Sequence, residues 1–354
     1  MLTESVPLSL LSVISLLSFF VTLTASKFSN MIGNGILLDQ DLDKPQAFHK
    51  SPVARIGGLV GIISLTIFFT LYYFLFQKIL LSYLFLSLSM FFLGFLEDIK
   101  FKINPNYRLI LMIAILLLFI VLFSVTIEAV DLNFLNTWME SNIFSVLFIL
   151  LCFLFIINGA NLIDGFNGLL TIHLLIINLT LLFFNLNSSH QDLTMIITVQ
   201  IVVLLSFLLF NFPNAKIFLG DSGSYLFGAL VALNIIETNN LNPNISSFFF
   251  CILLFYLFFE VCFSFFRKLY SKRSPLKPDR SHLHMLLYNY LEKSKKFKDC
   301  NYLNSLIINL VYLSLILPAV FFNDNGLICR YWFFSLLILY IVFYYLLYSF
   351  EKKQ

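Results

Sequence analysis

The chain has 354 residues, of which 60% are apolar and 12% charged, and its formal net charge is +3. Soluble domains average roughly 45–50% apolar and 25% charged residues, so a free-standing soluble fold is excluded. The small positive charge gives no case for nucleic acid, and five cysteines without a CxxC pair exclude an evident disulfide or zinc framework.

A bilayer core of ~30 Å takes ~20 apolar residues per helix. About eleven such runs follow one another: Pro7–Ser26, Gly57–Phe76, Ile79–Leu96, Leu109–Ile127, Ile143–Ile157, Leu169–Phe184, Met195–Phe210, Ile217–Ile236, Ser246–Phe266, Leu303–Phe322 and Tyr331–Phe350. They are too long and too rich in Leu, Ile and Phe for barrel strands, which alternate over ~10 residues. The expected fold is therefore all-α, a polytopic transmembrane helical bundle forming one integral-membrane domain over residues 1–354. The first run is read as a retained anchor, since Met1–Ser5 carries Glu4 and no basic residue.

The gaps between runs fall into two kinds. All of the 22 Lys and Arg residues except Lys78 and Arg330 lie in alternate gaps or in the tail Glu351–Gln354. Those gaps are Lys27–Arg55, Glu97–Arg108, Asn158–Gly168, Asn211–Asp221 and Arg267–Tyr302. Positive charge is retained on the cytoplasmic side, which predicts an outside N-terminus, a cytoplasmic C-terminus and all reactive groups at the cytoplasmic face.

In chain order, Asp43, Lys44, His49, Lys50 and Arg55 precede Gly57-Gly58 and read most simply as a positive-inside anchor. Glu97-Asp98 follows, with Lys100, Lys102 and Arg108 behind it. Adjacent carboxylates can bind a divalent cation, or one can act as a base tuned by nearby cations; a solvated helix end is the plain alternative. Asn158-Gly-Ala-Asn161-Leu-Ile-Asp164-Gly-Phe-Asn167-Gly168 places Asn158, Asn161 and Asp164 three residues apart, near one helical face. A polar cluster of that density at a membrane points to a ligand or metal site. In the segment from Asn211 to Ser224, Gly220-Asp221-Ser222-Gly223 opens a run, offering backbone N–H groups to phosphate and Asp221 to Mg²⁺. Helix capping explains one of those residues and leaves the others over.

The segment Ser274–His284 adds Lys277 and Arg280 as phosphate contacts, with His282 and His284. Two positions apart, these histidines would face opposite ways on a strand and lie about 200° apart on a helix, so one at most should face the site. Lys293–Lys298 reads as a solvated or lipid-facing basic stretch. Glu260, two turns inside its run, should face the bundle or the site, and His173 reads as a packing residue.

Together, E-D, N-G-A-N-L-I-D-G-F-N-G-L, P-N-A-K-I-F-L-G-D-S-G-S and S-P-x-x-P-D-R-S-H-L-H resemble the polyprenyl-phosphate N-acetylhexosamine-1-phosphate transferases. The resemblance is to the MraY/WecA type of glycosyltransferase family 4, nearer the WecA-like branch, and covers about residues 43–284. It implies Mg²⁺-dependent transfer of a sugar-1-phosphate from a UDP-sugar to undecaprenyl phosphate in the bacterial inner membrane, with Mn²⁺ as a substitute. Carried over by motif, Glu97 and Asp98 are the acidic pair, Asp221 the metal ligand with Asn161 as a second, and His282 the histidine of the catalytic set. Asn158, Asp164, Asn167, Lys100, Lys277 and Arg280 are the substrate contacts. The partners implied are the UDP-sugar, the lipid phosphate and the bilayer, with no nucleic acid and a homodimer as an option. Three departures stand out: Glu97 where Asp is commoner, Asn167 where Asp is common, and Met285 in place of a third His. The competing reading, an ion-coupled transporter, would place acids near the midplane of broken helices in paired halves.

Overall fold

The computed structural model describes residues 2–29, 31, 35–39, 52–101, 103–186, 190–274 and 279–352. Asp43, Lys44, His49, Lys50, Lys102 and Lys277 lie outside them. Among the described residues the chain is all-α apart from one small sheet. Its helices are α1 (Leu2–Lys27), α2 (Gly57–Phe76), α3 (Leu81–Asp98), α4 (Pro105–Leu122), α5 (Asn133–Met139), α6 (Asn142–Ile163) and α7 (Leu169–Asn185). They continue as α8 (Gln191–Asn211), α9 (Gly220–Leu241), α10 (Ser247–Leu253), α11 (Phe255–Tyr270), α12 (Leu283–Lys293), α13 (Cys300–Phe321) and α14 (Gly326–Lys352).

Each predicted apolar run is mainly helical, although Ile217–Ile236 opens on a short strand and Leu109–Ile127 outlasts its helix. Among the described residues, eight helices are long and apolar enough to cross a membrane alone, and the bent pair α10–α11 makes nine. The other two runs are α7, which is shorter, and α9. Their departure from the expected eleven has a physical cause. Helix α9 is the centre of the bundle, packed against α2, α3, α6, α7 and α8, and every residue from Ser222 to Ile236 is buried. A helix that faces protein all round need not be apolar all round. It carries Asn234, which donates to Asn178 of α7 (3.2 Å) and Gln200 of α8 (3.0 Å), all three fully buried. Association in lipid lacks a hydrophobic drive and relies on close packing and such hydrogen bonds.

The α10–α11 break bends the chain by 73° at Leu254, with neither Pro nor Gly there. The Tyr312 hydroxyl of α13 donates to the Leu253 carbonyl, so a side chain satisfies a group that the interrupted ladder leaves over. Helix α4 starts earlier than expected: the Asn104 side chain accepts from the Asn106 amide (3.1 Å) and Pro105 takes the first turn.

The sheet was not expected. Strands β1 (Leu38–Asp39), β2 (Val53–Arg55) and β3 (Ile217–Phe218) pair in that order, β1 antiparallel to β2 and β2 parallel to β3. It ties the entry to α2 beside the entry to α9, and the Gly58 amide donates to the Leu219 carbonyl (2.9 Å). Its consequence is to fix Arg55 at the end of α9.

Candidate active site

The site is built around the start of α9. The first N–H groups of a helix have no partner within it, and α9 has no side-chain cap of its own. Asp98, the last residue of α3, supplies one from outside. Its buried carboxylate accepts from the amides of Asp221 (3.0 Å) and Ser222 (2.9 Å) and from the Ser222 hydroxyl. Only glycine fits at two nearby points. Gly220 has φ +76°, and a Cβ there would stand 2.7 Å from Asp98 Oδ2. A Cβ on Gly94, one turn back in α3, would stand 2.4 Å from the Asp221 carbonyl oxygen.

Two arginines face the acids that surround this cap. Arg55 of β2 donates through Nη2 to Asp39 (2.6 Å), and its Nη1 lies 3.8 Å from Asp221 and 4.0 Å from Asp98. Arg108, in the first turn of α4, places Nη1 3.3 Å from Asp221 Oδ2 and 3.4 Å from Glu97 Oε1. Burial works against the Arg55 charge, but Asp221, Asp39 and Asp98 outweigh it and hold the guanidinium above its ordinary pKa.

The acids are not equivalent. The Asp98 side chain has no exposure and three donors, whereas those of Glu97 and Asp221 are 22% and 18% exposed. Glu97 Oε1 makes no hydrogen bond and has only the guanidinium of Arg108 before it. Asp164, just past α6, completes the group. Burial pushes its carboxyl up to about 8, with Arg55 opposing the rise and Asp221 and Asp98 adding to it. Five carboxyls, Asp39 included, thus gather around two guanidiniums, and the site's acidic side chains offer only oxygen as ligand atoms.

Other expected residues are placed nearby with separate tasks. Asn161 bonds to α9, its Nδ2 to the Tyr225 hydroxyl (3.4 Å) and its Oδ1 to that of Ser224 (3.3 Å). Asn158, one turn back, donates to its own helix at Leu154 (2.7 Å) and contacts Met112 Sδ at 3.8 Å, so it is not brought to the acids. Asn167 fixes a loop: its amide donates to Asn301 (2.8 Å) and its side chain to the Pro213 carbonyl (2.8 Å). Lys100 is exposed just past α3 and makes no ion pair among the described residues, and Arg280 is likewise exposed and unpaired there.

His282 lies buried at the start of α12. Its Nδ1 is 2.9 Å from Glu260 Oε1 and its Nε2 is 3.2 Å from Asp279 Oδ1. The expectation that His282 and His284 point apart is corrected: their rings stack at 5.5 Å, within 7° of parallel. His282 is the extended residue before α12 and His284 sits in its first turn, so neither strand nor helix spacing applies across them. The Phe166 ring meets His284 edge-on at 5.8 Å, which docks this segment against the Asp164–Gly168 turn.

With this geometry in view, kinship can be placed on it. Residues 80–239 match the glycosyl transferase family 4 profile. An undecaprenyl-phosphate alpha-N-acetylglucosaminyl 1-phosphate transferase of Thermotoga maritima is 29% identical over 283 residues, 79% of this chain and 82% of its own. A phospho-N-acetylmuramoyl-pentapeptide-transferase of Dictyoglomus turgidum is 30% identical over 227 residues, 62% of this chain and 71% of its own.

The chain belongs to glycosyl transferase family 4. It is a multi-pass membrane enzyme of the transferase class. The matched stretch of this family 4 member contains Glu97, Asp98, Asn161, Asp164 and Asp221, and leaves Arg55 and the His282 segment outside it. Sequence reading had Arg55 as an anchor and Arg108 as a neighbouring cation, and missed Asp39. The Asn104-Pro105 helix start was the available signal for Arg108, since it puts that residue in the first turn facing the end of α3.

Proposed function

We propose that the protein transfers a HexNAc-1-phosphate from a UDP-sugar to undecaprenyl (polyprenyl) phosphate in an Mg²⁺-dependent reaction that releases UMP. The observation that carries this reading is Asp221 between Arg55 and Arg108, beside a Glu97 oxygen that is ion-paired with Arg108 but makes no hydrogen bond, at the end of membrane-embedded helices. Phosphoryl transfer asks for charge neutralisation and positioning more than for covalent help, and these groups offer both. The names of the relatives support a polyprenyl acceptor and an N-acetylhexosamine donor.

An oxygen of the lipid phosphate attacks the β-phosphorus of the donor. The bond from that phosphorus to the bridging oxygen breaks, and UMP leaves with the oxygen. One phosphoanhydride replaces another, so the reaction is close to thermoneutral. Glu97 is placed to take the proton of the lipid phosphate, because Asp98 is committed to α9 through three donors. Arg55 and Arg108 would exchange carboxylate contacts for phosphoryl oxygens.

Among the described residues, no three His, Cys, Asp or Glu side chains form a metal cage. Mg²⁺ seldom needs one, since it takes one or two carboxylates and completes its shell with water and substrate phosphates. Asp221, with the Asn161 amide oxygen, fits such a site. When bound, the ion supplies further neutralisation of phosphate charge, and Mn²⁺ is the natural substitute.

The concentration of basic residues in alternate gaps supports an inner-membrane protein with its site on the cytoplasmic side. That is where a nucleotide sugar would meet the lipid, at the start of a cell-envelope glycan such as O-antigen or capsule. An ion-coupled transporter gains no support from acids gathered at helix ends. Purified protein, undecaprenyl phosphate, Mg²⁺ and a panel of UDP-HexNAc donors should release UMP with at least one donor. Lack of lipid-dependent release with every donor would refute the reading.

A further inference from the structure

We propose that Glu260 and Asp279 are positioning residues that hold His282 as a doubly hydrogen-bonded imidazolium, and that this clamp seats the Arg280 segment against the Asp164–Gly168 turn. The inference rests on the transferase reading and gives His282 a structural charge in place of direct chemistry.

The geometry requires two ring hydrogens. Each nitrogen of His282 faces a carboxylate oxygen, Nδ1 at 2.9 Å and Nε2 at 3.2 Å. Ionised carboxylates only accept, and a neutral imidazole has a single N–H to give. Both acids are otherwise engaged as carboxylates. Glu260 Oε1 also accepts from the Leu283 amide (3.3 Å), the first N–H of α12, and Oε2 accepts from the Tyr340 hydroxyl of α14. Asp279 receives Arg267 through both terminal nitrogens (2.8 and 3.2 Å). Tyr344 of α14 donates to the Ser281 carbonyl (3.1 Å), closing the segment from the other side.

Glu260 of α11 and Asp279 meet the His282 ring directly and His284 of α12 stacks on it, while Arg267 of α11 reaches Asp279, Tyr340 of α14 reaches Glu260 and Tyr344 reaches the Ser281 carbonyl. Burial works against the His282 charge, but hydrogen bonds to Asp279 and Glu260 outweigh it and place its pKa above the ordinary value. His284, stacked on it, is the reverse: burial drives it down to about 3, and Nδ1 meets the Tyr256 hydroxyl (3.2 Å). One charged and one neutral imidazole stack without repulsion.

The test is UMP release by the full-length protein from about pH 6 to about pH 9, for wild type, Glu260→Gln and Glu260→Asp. Wild type should keep the His282 charge through neutral pH, beyond the ordinary histidine range. Glu260→Gln leaves His282 with one anionic partner, so its charge should be lost as pH rises through the ordinary histidine range. Relative to wild type, its kcat/KM should fall roughly tenfold or more towards high pH and recover at low pH, and Glu260→Asp should restore the wild-type profile. A wild-type profile in Glu260→Gln, or wild-type activity that rises as a histidine deprotonates, would overturn the proposal. An independent readout covers variants that do not fold. In wild-type protein labelled with ¹⁵N-histidine, five residues in all and assigned with His282→Gln, both ring nitrogens of His282 should remain protonated near neutral pH. A bare nitrogen at that residue would overturn the clamp, whereas absence of UMP release from wild type would overturn only the transferase reading.

Discussion

Two helices of this protein begin at the same end of the bundle, and each has its first N–H groups capped by a carboxylate from another span. For α9 the cap is Asp98 of α3, and for α12 it is Glu260 of α11. What surrounds them differs. Around Asp98 stand Glu97 and Asp221, whose side chains keep 22% and 18% exposure and face arginines without saturating them. Around Glu260 the acids are fully partnered: its Oε1 accepts from His282 and the Leu283 amide, its Oε2 accepts from Tyr340, and Asp279 is shared between His282 and Arg267. The same device therefore serves two ends. A cap with unsatisfied neighbours makes a place where ligands can compete for charge, and a cap with satisfied neighbours makes a brace.

Substitutions can break this comparison in graded ways. Asp221→Asn should reduce UMP release about a thousandfold or more while Tm is kept, since the residue faces ligands and carries no part of the cap through its side chain. Gly220→Ala should unfold the α9 start, because a Cβ would press on Asp98 in a left-handed backbone; a Tm loss equivalent to about 1–3 kcal/mol is expected, with activity falling alongside. Asp164 offers a pH test in chelator. Its folded carboxyl titrates at about 8 against an ordinary 3.8, so the unfolded chain gives up its proton first and stability declines as pH rises between those values. Asp164→Asn should remove that decline, its Tm advantage over wild type growing by a few degrees towards the alkaline side. The smallest effect on activity belongs to the brace: Tyr340→Phe removes one hydrogen bond to the buried Glu260 carboxylate and should cost about 1.5–3 kcal/mol of stability, with the pH profile unchanged.

Much of this was legible in the sequence because membranes impose long apolar runs and segregate charge. Every run is mainly helical, and the motif gaps do meet: Asp98 and Ser222 touch across 124 positions. What escaped was set by tertiary contact. No local residue marks the break at Leu254, where the freed Leu253 carbonyl is satisfied by a hydroxyl from Tyr312, 59 positions away. Strands of two or three residues leave no alternation to detect, so the sheet that fixes Arg55 was invisible. Glu260 stood out as a charge inside a run, but its partner, 22 positions away, depends on how α12 docks.

The division of labour between the adjacent acids is the claim most open to direct measurement. Glu97→Gln and Asp98→Asn, purified in parallel, need only be compared for kcat and for Tm. Glu97→Gln should lose roughly 10²–10⁴-fold in kcat with its Tm unchanged, as for removal of a proton acceptor. Asp98→Asn should lose Tm, because a neutral amide replaces the charged cap of α9. An Asp98→Asn protein of wild-type Tm, or a Glu97→Gln protein of wild-type kcat, would contradict the assignment of one acid to the helix and the other to the chemistry.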